Sequence, residues 1–513
     1  MKKLSTLFLA LIISVFSFAQ DVKILPSMDP ELTTLVSADE NQIIYRTPGQ
    51  LPPFYTNKFR VFDSKTGEPK IVKVDNVTYK GATGLTVNFI VKDGFMYELF
   101  LFKGSQTKEA TYNGMIRRDL KTLKQVGDLV IVDKIDEAYY LAAQDFELIR
   151  GEQCFYLIAG AEHVKKHYIK KFNYQLEEQW TKELDFLDVK GAKVAKINVD
   201  ESDNALLTLL FTETPKSSFF TFKSPAASSS TLAFLHFNKN GEASAIMPQF
   251  ETSLNVRAYD FKIYEEEKLL VGIFSTTKVV DESKNLTGGL GYAYMVWDFE
   301  GNLLRSKNHY LTYDDMNGKE LQKRLINQKI QHKNPIEKGK ELPTINMYQN
   351  FNAFFQPDGS ILITHIDFVP AYSNSKEYGF SYYSSNLVYN ISNEGELVWT
   401  KFFARDEGFN NYNPQEYIVK DGNLHMYVKM HIGEITSDEI ELLQHAEKHV
   451  KDGKSVLVLE RVIDVKSGDI IKFKPLLNEP IIKATRINYY TLDDKLVFSF
   501  ANSKTTNLVL ITR

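Results

Sequence analysis

Pro357-Asp358-Gly359-Ser360-Ile361-Leu362-Ile363, answered further on by Leu387-Val388-Tyr389-Asn390-Ile391-Ser392-Asn393-Glu394-Gly395, decides the fold. The first stretch is a tight turn that opens an apolar run, and the second is an apolar run that closes on another turn. Gly, Asn and Asp accept the positive φ of tight hairpin turns, and runs of Val, Ile, Leu and Tyr favour strands. Working outward, the first kind of turn recurs as Lys92-Asp93-Gly94 and Lys420-Asp421-Gly422, with looser versions near Glu40, Arg150-Gly151, Asp203-Asn204, Glu266 and Asp493-Asp494. The second kind recurs at Asp63 to Gly67, Asn238 to Gly241, Asp298 to Gly301 and Asp464 to Gly468, with degenerate forms at Asp119 and Asn173. First-kind turns therefore stand near positions 40, 93, 150, 203, 266, 358, 421 and 494, a period with insertions. Each repeat reads as strand, first turn, strand, loop, strand, second turn, strand.

Several of these strands are apolar on both faces, as in Ala205 to Phe211 and Ile361-Leu362-Ile363. Sheets covered on both sides give such runs, and the blades of a β-propeller are covered by their neighbours. A parallel α/β sheet also buries both faces, but the spacing leaves no helices between runs; an open solenoid is the alternative that remains. The last repeat supplies only three strands, Ile487 to Tyr490, Leu496 to Phe500 and Asn507 to Thr512. Val22-Lys23-Ile24-Leu25, at the other end of the chain, offers the fourth and would close the last blade, hiding two sheet edges. The expectation is an all-β chain whose residues 20–513 form a single β-propeller of about eight four-stranded blades, seven also fitting the period. Partly helical insertions are expected on one face at 303–346 and 433–453. Thr436-Ser437-Asp438-Glu439 reads as a capping box leading Ile440, Leu443 and Val450 onto one stripe, and Lys319 to Gln331 carries Leu321, Leu325 and Ile326.

Residues 1–19 have the parts of a secretory signal: Lys2 and Lys3, an apolar run from Leu7 to Phe16, and Ser17-Phe18-Ala19 as the cleavage site. The run falls short of the roughly 20 residues that span a bilayer. No cysteine stands directly after the site, where Gln20 is found, so lipid attachment has no residue to use, and periplasmic or secreted release without a membrane anchor is expected. Cys154 is the only cysteine and sits in the apolar run Cys154 to Ile158, which excludes an intrachain disulfide and suits a buried, inert thiol. Loss of Lys2 and Lys3 takes the formal charge from −4 to −6, and nothing in it points to nucleic acid.

Gly395-Glu396-Leu397-Val398-Trp399 resembles the blade type of quinoproteins and of outer-membrane assembly factors, with Trp180 in a comparable place. The chain as a whole resembles secreted bacterial β-propeller proteins, and Phe18-Ala19-Gln20 resembles signal ends common in Bacteroidota. No repeat carries the Trp-Asp ending of WD40 blades or the Ser-x-Asp-x-Gly-x-x-Trp box of sialidases. The assembly-factor resemblance implies a lipid anchor that this chain has no cysteine to carry.

From first to second turn the distance is 23 to 26 residues in repeats one to three and 32 to 43 in repeats four to seven. Strand alternation puts that excess on the face opposite the tight turns, and long loops on a rigid scaffold commonly carry function. The segment Tyr372 to Tyr383 is rich in Tyr, Phe, Ser and Asn, a composition suited to capture, and Tyr372, Tyr378, Phe380, Tyr382 and Tyr383, with Asn410 and Tyr412, are the expected ligand-binding residues. Glu441, His445 and His449, His163 and His167, and Asp314-Asp315-Met316-Asn317-Gly318 have spacings that could hold a metal ion; none completes a motif, and a helix face, a hairpin and a turn explain them. No nucleophile elbow, phosphate loop or dinucleotide fingerprint occurs, so no catalytic residue and no cofactor is assigned. Asp367, Glu377 and Asp406 are the acids that a glycoside-cleaving site would draw on. The expected function is an exported cell-envelope binding or scaffolding protein for a glycan, peptide or envelope protein; the alternative is a secreted carbohydrate-active hydrolase or lyase.

Overall fold

The structure, a computed structural model, describes residues 22–24, 34–39, 41–48, 55–102, 111–135, 146–159, 167–184, 192–212, 230–250, 256–281, 286–312, 315, 350–371, 381–404, 416–431, 456–475, 486–492, 495–501 and 506–512. These residues form antiparallel sheets, with no helix among them. The chain divides into two compact units, one of residues 1–148 with 482–513 and one of residues 149–481.

In the first unit, strands Thr34–Ala38, Gln42–Pro48, Tyr55–Asp63 and Pro69–Lys73 make one run of four, and Ala82–Lys92, Phe95–Phe102, Thr111–Asp119 and Gln125–Ile135 make another. A bridge between Tyr55 and Thr86, with the short strand Thr78–Tyr79, joins them into a nine-stranded sheet. Arg486–Leu492, Lys495–Ala501 and Thr506–Thr512 form a further sheet whose fourth strand is Val22–Ile24, antiparallel to the last with Lys23 opposite Leu510. Two ends of the chain thus share one ladder.

The second unit follows the same repeat. The third sheet is Phe146–Arg150, whose first three residues are the last of the first unit's stretch 1–148, with Cys154–Ala159, Tyr168–Asn173 and Glu178–Glu183; the fourth is Ala192–Val199, Ala205–Thr212, Ser230–Phe237 and Ala243–Ile246. The fifth is Val256–Tyr264, Leu269–Asp281, Leu286–Asp298 and Leu303–Tyr310, and the sixth is Asn350–Phe355, Ile361–Ala371, Ser381–Ile391 and Leu397–Ala404. The seventh is Glu416–Lys420, Asn423–His431, Val456–Asp464 and Ile470–Pro475. In the fifth and sixth sheets the extra length expected as loop is partly strand, because the middle hairpins run 11 to 13 residues a side. Both expected helical stretches, 319–331 and 436–450, lie outside the described residues.

In the second unit the core lies between consecutive sheets, and the fourth, fifth and sixth use both faces. On the fourth, Leu207 and Leu209 pack with Tyr156 and Ile158 of the third, while Leu206 and Phe234 pack with Phe274 and Trp297 of the fifth. On the sixth, Ile361 and Ile363 join Tyr292 of the fifth, while Leu362 and Val388 join Met426 of the seventh. This explains the non-alternating apolar runs, since neither face meets water. Outer edges are protected: register shifts leave Leu304, Val398 and Ile471 as bulges on the final strands of the fifth, sixth and seventh sheets, each more than half exposed.

Aromatic side chains tie the third, fifth and sixth sheets to a turn of the next. Trp180 Nε1 donates to Lys239 O at 3.2 Å, Trp399 Nε1 to Val465 O at 2.9 Å, and Tyr294 Oη to Asn393 O at 2.7 Å. The ring of Trp399 fills the space where Gly468, at φ +74°, lacks a side chain; an added Cβ would lie 2.6 Å from its Cδ2. The Gly-x-x-x-Trp resemblance therefore reports a docking contact between consecutive repeats. Gly468→Ala meets both a left-handed backbone and the indole, and we expect a loss of about 1–3 kcal/mol, read from the urea midpoint, whereas Gly422→Ala, whose Cβ meets nothing, loses only the backbone part.

Candidate functional site

The first strands of the third to sixth sheets converge on a cleft of about 650 Å³, lined by Ile149 and Arg150, by Ile197 to Val199, by Asp260 to Ile263 and by Phe355. Each contributes the end of its strand that enters the first turn, so the cleft opens at the short-turn end of these sheets. Asp200, Glu201, Ser202 and Asn204, from the turn between the first two strands of the fourth sheet, complete one wall together with His236.

The turn itself explains most of that wall. Asp200 Oδ1 accepts the N–H groups of Ser202 and Asn204, each at 2.9 Å, which leaves Asp203 to take the positive φ of 61°. Buried Asn204 then donates through Nδ2 to Asp200 Oδ2 at 2.9 Å and to Glu265 Oε2 at 2.8 Å, while its Oδ1 accepts from Lys239 N. One amide thus holds together carboxylates from the turns of two sheets.

The opposite wall is also self-satisfied. Lys196 Nζ meets Asp260 Oδ1 at 2.6 Å, and the same oxygen caps Phe261 N at 2.8 Å. Asn198 Nδ2 donates to Phe261 O at 3.3 Å. Register shifts after Val194 and Val256 add bulges to the two edge strands. Side chains and bulges together close these edges to an added strand.

His236 is the exception. It is 4% exposed, and its Nε2 is buried without a hydrogen-bond partner. Burial pushes its imidazole below the ordinary histidine range, against the pull of Glu265 and Asp200, so the ring is neutral near pH 7.

Of the residues expected to bind ligand, Tyr382 and Tyr383 stand in the strand Ser381–Ile391, opposite Pro370 and Val369, at the end away from the short turns. Tyr372, Tyr378, Phe380, Asn410 and Tyr412 lie outside the described residues. So do Glu441, His445, His449 and His163, and Glu377 and Asp406 of the acids. Asp367 faces Ser385 in the ladder, and Asp315 accepts from Thr312 N at 2.7 Å and lies 3.3 Å from His309 Nε2. Among the described residues no group of three His, Cys, Asp or Glu is placed to hold a metal ion, and no helix is long and apolar enough to cross a membrane. The Cys154 thiol is pushed up to about 12, chiefly by burial, which makes it unreactive.

The cleft leaves little mark in the sequence, because it is built from short turns and strand ends and not from long loops. Its residues looked like turn punctuation, and His236 was a lone polar residue in Phe234-Leu235-His236-Phe237. That interruption of an apolar strand was the available signal.

No family model matches the chain, and no curated protein matches its sequence. Among solved structures it is similar to the polysaccharide lyase Uly1, at 10% identity over 94% of this chain and 99% of that one, with a TM-score of 0.35. It is similar to the WD40 domain of SCAP from fission yeast, at 9% identity over 79% and 95% with a TM-score of 0.33. A member of the DUF4221 family from Bacteroides vulgatus is similar at 11% identity over 78% and 93%, with a TM-score of 0.30.

Proposed function

We propose that the chain is an exported binding or scaffolding protein of the cell envelope, its sheets the blades of one β-propeller, which captures a glycan, peptide or protein without transforming it. The observation that carries this reading is the cleft at the convergence of four first strands. Its size suits a small group or the tip of a larger ligand, and Asp200 and Asp260 are committed to a turn, an ion pair and a strand cap rather than to proton transfer. The blade reading is supported by sheets that pack face to face in chain order and by the pairing of Val22–Ile24 with Thr506–Thr512. In this reading the signal is removed after Ala19 and the mature chain is released to the periplasm or beyond; 433–453 is an insertion, and the insertion expected at 303–346 begins only after the strand Leu303–Tyr310, which belongs to the fifth sheet. In this reading Tyr372, Tyr378, Phe380, Tyr382 and Tyr383, with Asn410 and Tyr412, are further ligand contacts.

The test is the mature chain from Gln20 on glycan and peptide arrays, with polysaccharides screened in parallel for release of new chain ends. Retention of a ligand without product is expected. Depolymerisation of any polysaccharide would replace this reading with that of a hydrolase or lyase.

A further inference from the structure

We infer that the wall of the cleft between the fourth and fifth sheets is a subsite for the guanidinium or ammonium group of a basic polypeptide segment. The inference rests on the binding reading above and names its ligand chemistry. Two carboxylates and an imidazole stand together there, Asp200 and His236 lining the cleft and Glu265 joined to them through Asn204. Asp200 and Glu265 are bridged by the single Asn204 amide, and a carboxylate oxygen accepts more than one hydrogen bond. His236 lines the same cleft with a buried Nε2 that has no partner. A buried polar nitrogen left unmatched is costly, and a hydrogen-bonding group that reaches it from the cleft recovers that cost.

The charge on the turns around these groups is predominantly negative. The short turns of the two sheets carry Asp200, Glu201, Glu265, Glu266, Glu267 and Glu300, against Lys239 and Lys268. Such a field draws cations and repels anions. Guanidinium offers five N–H donors in a planar fork, enough to meet two carboxylates and an imidazole at once. Elsewhere in the cleft, Arg150 belongs to the third sheet, and Lys262 Nζ lies over the Tyr264 ring at 5.1 Å, so the acidic wall is the one that receives a cation. Exposed acids spread over successive turns match a chain bearing several Lys or Arg residues. Because Asn198 and Asp260 cap the strand edges, that chain enters by its side chains and not as an added strand.

Fluorescence anisotropy on the full mature chain decides it, with labelled oligo-arginine, oligo-lysine and chitosan oligosaccharide as probes. Oligo-arginine should bind, weakening with salt, and Glu265→Gln and His236→Phe should each reduce affinity about tenfold with melting temperature unchanged. His236→Leu serves should the Phe variant misfold. Wild-type affinity in a folded His236 variant overturns the subsite, since a diffuse acidic surface would bind without it. Binding of chitosan with no binding of the peptides overturns the polypeptide. If the arrays retain another ligand while oligo-arginine is ignored, the subsite falls and the binding function stands; if nothing is retained anywhere, the binding function falls too.

Discussion

Glu98→Ala should cost about 3–5 kcal/mol of stability, the range for removing one partner of a buried ion pair. Glu98 is fully buried in the strand Phe95–Phe102, and it accepts from two arginines. Arg46 Nη1 bonds its Oε1, and Arg118 Nε lies 2.6 Å from its Oε2. Both guanidiniums are themselves buried, at 2% and 4% exposure. Arg46 reaches across from the first run of strands to the second, where its Nη2 also donates to Thr86 Oγ1 at 2.8 Å. Desolvation lowers its pKa and the Glu98 charge works against that, so the carboxylate is what makes the burial tolerable. Its loss leaves two like charges facing one another out of water around the ring of Phe59, with 5.0 Å and 5.9 Å between guanidinium carbons and ring centre. Urea denaturation should show the loss. The triple variant Glu98→Leu, Arg46→Met, Arg118→Met should recover most of it, because apolar replacements remove the desolvation cost with the charges. A Glu98→Ala midpoint within about 1 kcal/mol of wild type would show that the arginines find water instead.

That triad was open to inspection in the sequence, as a glutamate inside Phe95-Met96-Tyr97-Glu98-Leu99-Phe100, but pattern alone does not say which charges meet it. The repeat was far more legible, because its information is local. Gly94, Gly241, Gly301, Gly395, Gly422 and Gly468 all hold positive φ at the turns where the spacing put them. The two second-kind turns that looked degenerate are informative in this respect. At Asp119 and Asn173 the left-handed position is held by Leu123 and Leu176, at φ 57° and 67°, so the glycine cue is missing while the turn remains. The side chains of Asp119 and Asn173 hold the backbone there, accepting from Thr122 N and from Gln175 and Glu177 N. The cleft was illegible for the opposite reason. It is assembled from strand ends about 50 residues or more apart in the chain, and only the packing of consecutive sheets brings Arg150, Asn204, Asp260 and Phe355 to one place.

Stability should fall as the pH drops from about 6.5 toward 3, and His365→Phe should flatten that fall. His365 stands in Ile361–Ala371 with 1% exposure, stacked on Tyr389 at 5.9 Å and met edge-on by Phe351 at 5.0 Å. Its Nε2 lies 3.3 Å from Tyr389 Oη, and its Nδ1 is buried without a hydrogen-bond partner. Burial pushes the ring down to about 3, whereas an unfolded histidine titrates near 6.5. Below pH 6.5 the unfolded chain therefore takes up a proton that the folded chain refuses. Unfolding is favoured by up to about 1.4 kcal/mol per pH unit until the folded ring itself titrates, after which the dependence ends. His236, also lowered by burial, acts in the same direction. The carboxylates of Asp119, Asp358 and Asp464 are held down by hydrogen bonds within their turns, so their contribution is present above their ordinary range and is lost only as the pH falls below about 4. Between pH 6.5 and 4.5 the buried histidines are thus separated from the acids. Melting temperature measured across that window should fall in the wild type and fall less in His365→Phe, although the variant starts lower at pH 7 because the Tyr389 hydroxyl loses its partner. Parallel curves for the two proteins would mean that His365 finds a way to charge inside the fold, and the sheet would then have to open around it.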